Sequence, residues 1–464
     1  MKLLALAFGV FGVISVAGIS TSAGHFRRDS PNATHKPSIA GDAVAQAQAG
    51  KPVAAPAARG STAVGTAASD DCLQTDFEIN YANAEKRIVA CSAAIQSKKL
   101  DRDQLALARL NRGIARMTLG DMTMAANDYE EALKHYDSAI DSQAPDALNL
   151  YRRGLALDAL GQTDRALADF DAAIRLDSSD AIVHYKRGVI LATRKRAIER
   201  AIEDFDKVLL LVPNNVDALI RRGQAYGQLG DNGHSLADLE RAVSLAPGNA
   251  RARLFRGLAH NRRGETQLAI EDYGAAIALD PHSADALINR SAIYVTQGKD
   301  DLAHADLDAA ISLQPKDPYA HYNLGYVHFV KREFDEAIRD YSAAIQLDPG
   351  FALAYNNRCL TRSIVGRDLV AALADCDTAL KLAPFNLDIR DTRGFTYLKL
   401  GDPAIAIVEY DAALAVDPNR AVSLFGRGMA RIRMGHRSEG AADQTAARVL
   451  SPSVERAFSI YSLN

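Results

Sequence analysis

The chain has 464 residues, with 54 Lys and Arg against 57 Asp and Glu. Such near balance argues against a nucleic-acid binder that works by bulk electrostatics. Tryptophan is absent and alanine abundant, as in close-packed helices rather than a sheet.

Residues 1–23 read as an export signal: Lys2 opens it, an apolar run follows from Leu3 to Gly18, and Thr21-Ser22-Ala23 offers a small-residue cleavage site. The sixteen-residue run is short for a membrane span, which needs roughly 20 residues. Cleavage and release, periplasmic or secreted, is therefore the expectation; a retained segment tethering the rest to a membrane is the alternative. No cysteine follows to accept a lipid. Residues 24–70 are rich in Ala, Gly, Pro, Ser and Thr and bury too little to offset their ordering entropy, so they read as a disordered linker.

Residues 71–105 form an N-terminal capping segment, in which 84–98 half-matches the pattern that comes next. From 106 to 452 one pattern recurs. Its small residue falls at Gly113, Gly154, Gly188, Gly223, Gly257, Ser291, Gly325, Cys359, Gly394 and Gly428, at intervals of 41, 34, 35, 34, 34, 34, 34, 35 and 34. A period near 34 marks a solenoid of helix hairpins, each burying its apolar face against its neighbours. The unit 284–317 shows how. Ala284, Leu287, Ile288, Ser291, Ala292 and Tyr294 recur at helical spacing, Gly298 breaks the run, and Leu302, Ala303, Leu307, Ala310, Ile311 and Leu313 resume it. Pro315 then stops the helix, as do Pro213, Pro247, Pro281, Pro349, Pro384, Pro418 and Pro452 in other units.

At these residues the chain resembles the tetratricopeptide repeat family. Gly394, Tyr397, Gly401, Ala406, Tyr410, Ala413 and Pro418 match the family pattern in full. The resemblance implies an all-α, right-handed superhelical solenoid of about ten hairpins, with capping helices at both ends. Residues 453–464 are the C-terminal cap, presenting Phe458 and Tyr461. Departures are an insertion around 141–146, one extra turn residue near 195–197 and near 367–370, and Gly440 and Gln444 where Ala and Tyr are usual.

One feature exceeds the family pattern. Arg precedes the small residue in nine units, with Leu324 as the exception, and an acid faces it from every second helix, from Asp128 to Asp443. Matched signs at a fixed period predict a structural ladder within or between hairpins. The four cysteines form two local pairs. Cys72 and Cys91 flank the first helical segment, while Cys359 and Cys376 lie on two antiparallel helices about Gly366. In an exported protein they read as disulfides, against the alternative of small buried thiols.

No nucleophile elbow, phosphate loop, dinucleotide fingerprint or metal motif is present, so no enzyme, cofactor, metal or small-molecule substrate is expected. His321 and His328 replace core residues and read as packing. Two function classes stay open: a cell-envelope scaffold holding a peptide or protein in its concave groove, or an accessory subunit docking by its convex face or ends. In the family, first helices line the groove, and the position two before the small residue points into it. Here it holds Asn289, Asn323 and Asn357, which resemble the asparagine ladder of protein O-linked N-acetylglucosamine transferase that holds a peptide backbone. A carboxamide pairs with any peptide amide; simple tolerance of Asn on a polar face is the alternative. Tyr319, Tyr322 and Tyr326 would form an aromatic wall, and Arg152, Lys186 and Arg221 a basic stretch suited to an acidic segment or a carboxylate.

Overall fold

The computed structural model describes residues 71–74, 81–142 and 146–460, and every regular element among them is a helix. The expected signal at 1–23, the linker at 24–70 and Tyr461 lie outside these residues.

Proline and glycine set the helix boundaries. Before Pro213, Pro247, Pro315 and Pro384, residues Val212, Ala246, Gln314 and Ala383 take ψ of 82°, 76°, 76° and 73°. Those values leave helical geometry because the proline ring clashes with a helical predecessor. Gly298 and Gly401 turn the chain at φ 78° and 90°, where a side chain is strained. The two units with an extra turn residue hold one in that same left-handed region, Arg196 at φ 52° and Asp368 at φ 54°. Several first helices start on side-chain caps: Asp146, Asn215, Asp317 and Asn386 each accept from a backbone N–H of the first turn.

The chain divides into two compact units between Ala259 and His260. The first holds α1 (Tyr81–Gln96), α2 (Arg102–Thr118), α3 (Met122–Ser142), α4 (Ala147–Ala159), α5 (Thr163–Leu176), α6 (Ala181–Thr193), α7 (Ile198–Leu211), α8 (Val216–Gln228) and α9 (Asn232–Leu245). The division falls within α10 (Ala250–Arg262). The second unit continues with α11 (Thr266–Leu279), α12 (Ala284–Gln297), α13 (Asp300–Leu313), α14 (Pro318–Lys331), α15 (Phe334–Leu347), α16 (Ala352–Val365) and α17 (Leu369–Leu382). It ends with α18 (Leu387–Leu400), α19 (Pro403–Leu414), α20 (Ala421–Arg433), α21 (Arg437–Leu450) and α22 (Val454–Ile460). Within the units the helices from α2 to α9 and from α12 to α21 pack as consecutive hairpins. Helix α1 covers α2, and α22 packs on α20 and α21, with the Phe458 ring 4.9 Å from Phe425 and 6.2 Å from Phe395. The insertion lengthens α3, which runs on to Ser142.

The recurrent glycine is a contact surface for a ring. A Cβ added at Gly113, Gly154, Gly188, Gly325 or Gly394 would come within 2.6–2.9 Å of Tyr129, Phe170, Phe205, Tyr341 or Tyr410. Each of those rings is buried, a gain of about 2–3 kcal/mol apiece. One repeat solves the same contact differently: Cys359 and Cys376 take the places of the glycine and the ring, and lie at disulfide distance, S–S 2.08 Å. Cys72 and Cys91 are likewise paired at 2.20 Å. Cys91 sits inside α1 rather than beyond its end, so this pair ties the helix to the segment before it.

The ladder is present in both senses at once. Arg112, Arg153, Arg187, Arg222, Arg290, Arg358 and Arg427 grip Asp128, Asp169, Asp204, Asp238, Asp306, Asp375 and Asp443 with two parallel bonds of 2.6–2.9 Å. Arg393 bonds Glu409 on the second helix of its own hairpin. The remaining Nη1 reaches back to the preceding hairpin: Arg153 to Asp137 at 2.9 Å, Arg187 to Asp171 at 2.7 Å, Arg222 to Asp206 at 2.6 Å and Arg427 to Asp411 at 2.7 Å. Where Leu324 interrupts the run, His328 Nδ1 takes Asp340 at 2.7 Å. The reading of His321 and His328 as packing residues is thus corrected. His328 serves the ladder, and His321 points to the Pro315 carbonyl at 3.1 Å, because the core at that level is already filled by Tyr322 and Tyr341.

The acids that these arginines grip within their own hairpins are buried, while the arginines are half-buried and the acids of the preceding hairpins half-buried or exposed, which changes what a lost partner costs. An exposed pair is worth about 0–1 kcal/mol, whereas stranding a buried charge costs about 3–5 kcal/mol. Arg222→Ala should therefore destabilise the protein by about 3 kcal/mol, at the low end because Asp238 keeps some water access. Urea denaturation is the measurement, and a change below about 1 kcal/mol would put the pair back among surface pairs. The second disulfide gives a sharper test. Replacing Cys359 and Cys376 by Ser should cost about 3 kcal/mol, and Cys359→Gly with Cys376→Tyr should recover most of it by restoring the ring contact of the other repeats. A Gly/Tyr variant no more stable than the double Ser variant would refute that equivalence.

Candidate functional site

Successive first helices of the second unit align equivalent residues about 34 apart. One register position carries Ile288, Tyr322, Asn356, Asp391 and Phe425; the next carries Asn289, Asn323, Asn357, Thr392 and Gly426. All are buried. The asparagine ladder therefore runs at one register along α12, α14 and α16, inside the packed layer rather than on an open polar face. Asn357 Nδ2 donates to the Tyr322 hydroxyl at 3.0 Å, which joins α16 to α14.

The three tyrosines do not form a free wall. Tyr322 lies against Phe351 (4.9 Å between centroids) and Tyr341 (5.8 Å), and Tyr319 stands edge-on to Phe351 at 5.2 Å. Tyr322 and Tyr326 are buried and Tyr319 half-buried. Burial pushes the Tyr326 phenol up to about 12, so it stays a neutral donor at any physiological pH. The reason for the difference is that α14 supplies its aromatic side chains to the hairpin core as well as to its surface.

Sequence reasoning missed two members of this row. Asn356, one residue before the expected ladder position, is fully buried. Among the described residues neither of its amide atoms, nor Oδ1 of Asn357, has a hydrogen-bond partner. Asp391, equivalent to Asn356 in the next repeat, accepts from Arg420 Nε at 2.6 Å and Ser423 Oγ at 2.5 Å. The available signal was the register itself: Tyr322, Asn356 and Asp391 recur 34 and 35 residues apart.

Arg152, Lys186 and Arg221 belong to the first unit, at one register position of α4, α6 and α8. All three are half-buried. Lys186 Nζ stands 6.0 Å from the Tyr185 ring centroid. The stretch is not purely basic. Asp158 sits 3.2 Å from Arg194, its carboxyl raised by burial against the fields of Arg194 and Lys186.

Tetratricopeptide repeat models match residues 151–219, 220–284 and 318–351, and a TPR repeat model matches 292–331. Among solved structures the chain is similar to MamA, at 30% identity over 35% of this chain and 94% of that one, TM-score 0.31. It is also similar to YrrB, described as a TPR protein with an unusual peptide-binding site, at 29% identity over 40% and 95%, TM-score 0.34. A human IFIT1 dimer with m7Gppp-AAAA shares the fold at 16% identity over 85% and 97%, TM-score 0.50. No curated protein matches the chain.

Burial lifts the Asp391 carboxyl to about 6 in spite of Arg420 and Ser423. With its unfolded value near 4, roughly that of free Asp, the folded protein binds more protons between the two, and stability falls as pH rises through them. The protein should lose stability relative to Asp391→Asn as pH climbs from about 4 to about 6. Urea midpoints of the two proteins at fixed ionic strength report it. A constant gap would mean that Arg420 keeps the group ionised throughout.

Proposed function

Because this chain is a tetratricopeptide-repeat protein, an architecture that serves in general as a protein-interaction scaffold, we propose that it is an exported adaptor of the cell envelope. Its first-helix row around Asn356 and Asn357 holds an extended peptide segment of a partner. One observation carries the peptide reading: three amide atoms at Asn356 and Asn357 are without partners among the described residues, and, since both side chains are buried, a peptide would meet them only on a local parting of the first helices. Each such atom costs about 1–3 kcal/mol when left unmade. A peptide backbone presents an N–H and a C=O at every residue, whatever its side chains, which is what an Asn amide pair recognises. Export is supported by the signal-like pattern of residues 1–23. The two cysteine pairs at bonding distance are likewise suited to an oxidising compartment. The half-buried basic row Arg152, Lys186 and Arg221 is a second surface, with a preference for acidic segments.

The test uses a peptide selected from a random display library against the full chain. Asn356→Ala with Asn357→Ala should weaken its binding about tenfold to a hundredfold, the equivalent of two amide bonds, with helical content unchanged. Fluorescence anisotropy measures it. An affinity equal to that of the parent protein would remove these asparagines from the binding surface. The mass of the mature N-terminus from native envelopes decides between cleavage and a retained tether.

A further inference from the structure

We propose that His304 and His328 form a binding site for a divalent transition-metal ion of the zinc type, bridging two neighbouring repeats. His304 stands on α13, the second helix of one hairpin, and His328 on α14, the first helix of the next. Their Nε2 atoms face each other at 3.3 Å, with the rings 5.2 Å apart at 63°. Behind each ring is a carboxylate on the other nitrogen: Asp340 lies 2.7 Å from His328 Nδ1 and Asp308 3.1 Å from His304 Nδ1.

An ionised carboxylate only accepts, so Asp340 holds the proton of His328 on Nδ1, and Asp308, at ion-pair distance from His304 Nδ1, favours the same tautomer there. Both Nε2 atoms then present lone pairs to one another. Two lone pairs at that distance repel unless a positive centre, either a metal ion or a proton shared by the rings, lies between them. Donors bound at about 2.0–2.1 Å to a tetrahedral ion lie about 3.3 Å from each other, which is the spacing found. Carboxylate–histidine pairs are also the usual backing of metal-bound imidazole, since they fix the tautomer and raise ligand basicity. Imidazole donors favour zinc, copper and nickel over magnesium or calcium.

The surroundings favour a cation. Glu333 Oε2 lies 3.7 Å from His328 Nε2. Lys331 Nζ is shared between Asp301 at 3.3 Å and Glu333 Oε1 at 3.9 Å. Among the described residues no three His, Cys, Asp or Glu side chains converge, so the chain supplies two nitrogens, and water or a reoriented Glu333 completes the shell. With positions left open, the ion would join two hairpins and remain able to take a donor from a partner.

The experiment uses the full chain without an affinity tag, stripped with chelator and titrated with zinc by calorimetry, then with cobalt to read its visible ligand-field absorption. One equivalent should bind with a rise in melting temperature. His304→Ala, which leaves the Asp340 contact of His328 intact, should weaken that equivalent at least tenfold, and so should His328→Ala. Asp308→Asn should weaken it less. His321→Ala, on the same helix as His328, should change nothing. Binding that persists unaltered in His304→Ala would overturn the proposal. A stripped protein whose melting temperature ignores zinc would overturn it too, leaving a shared proton between the rings.

Discussion

The guanidinium that grips one carboxylate inside its own hairpin and another in the hairpin before it holds the stack in register. Apolar packing between helices is tolerant of small slips and rotations, because dispersion and burial have little direction. A planar fork with fixed bond directions is not tolerant. Arg222 illustrates the point. Two of its nitrogens meet Asp238 and the third meets Asp206, so a shift of either hairpin breaks a charge-assisted bond. Since the acid inside the hairpin, Asp238, is buried, the alternative to that pair is an unsolvated carboxylate, and that asymmetry gives the ladder its force. Where Leu324 removes the arginine, His328 supplies the donor to Asp340, which is half-buried.

The small residue beside each arginine sets the distance at which this geometry works. Tyr341 lies against Gly325, and Phe170 against Gly154, with no room for a Cβ. Helices that approach so closely bring the Arg of the first helix within two bonds of the acid of the second. The Cys359–Cys376 pair achieves the same approach covalently. Ring, disulfide and ladder are therefore three parts of one interface rather than separate stabilising features.

A stack so constrained leaves few positions free to vary, and function concentrates on these. The first helices of the second unit bury Asn356 and Asp391 at the register where Leu110, Ile220, Leu254 and Ile288 are buried in other repeats, and Asn289, Asn323, Asn357 and Thr392 at the next. Burying polar groups costs stability unless each finds a partner. Some do, as in Asn357 to Tyr322 and Ser423 to Asp391. Asn356 does not among the described residues, which is why the peptide reading rests there and not on the tyrosines, whose rings are engaged with Phe351 and Tyr341.

The sequence by itself determined the helix hairpins, their boundaries and the pairing of charges and cysteines. Those features are set by periodicity and by local chemistry at Gly, Pro and Asp, which act within a few residues. The match between Arg-Gly on one helix and acid on the next was legible because it repeats at one spacing. Only the tertiary structure decided which face each polar residue occupies. Asn323, expected in an open groove, is buried because a helix of 14 residues in a solenoid touches neighbours on several sides, and a period of 34 does not say which side is wet. His304 and His328 were beyond reach for a further reason. They lie 24 residues apart on different repeats, and no local spacing rule connects side chains that only the stacking of hairpins brings together.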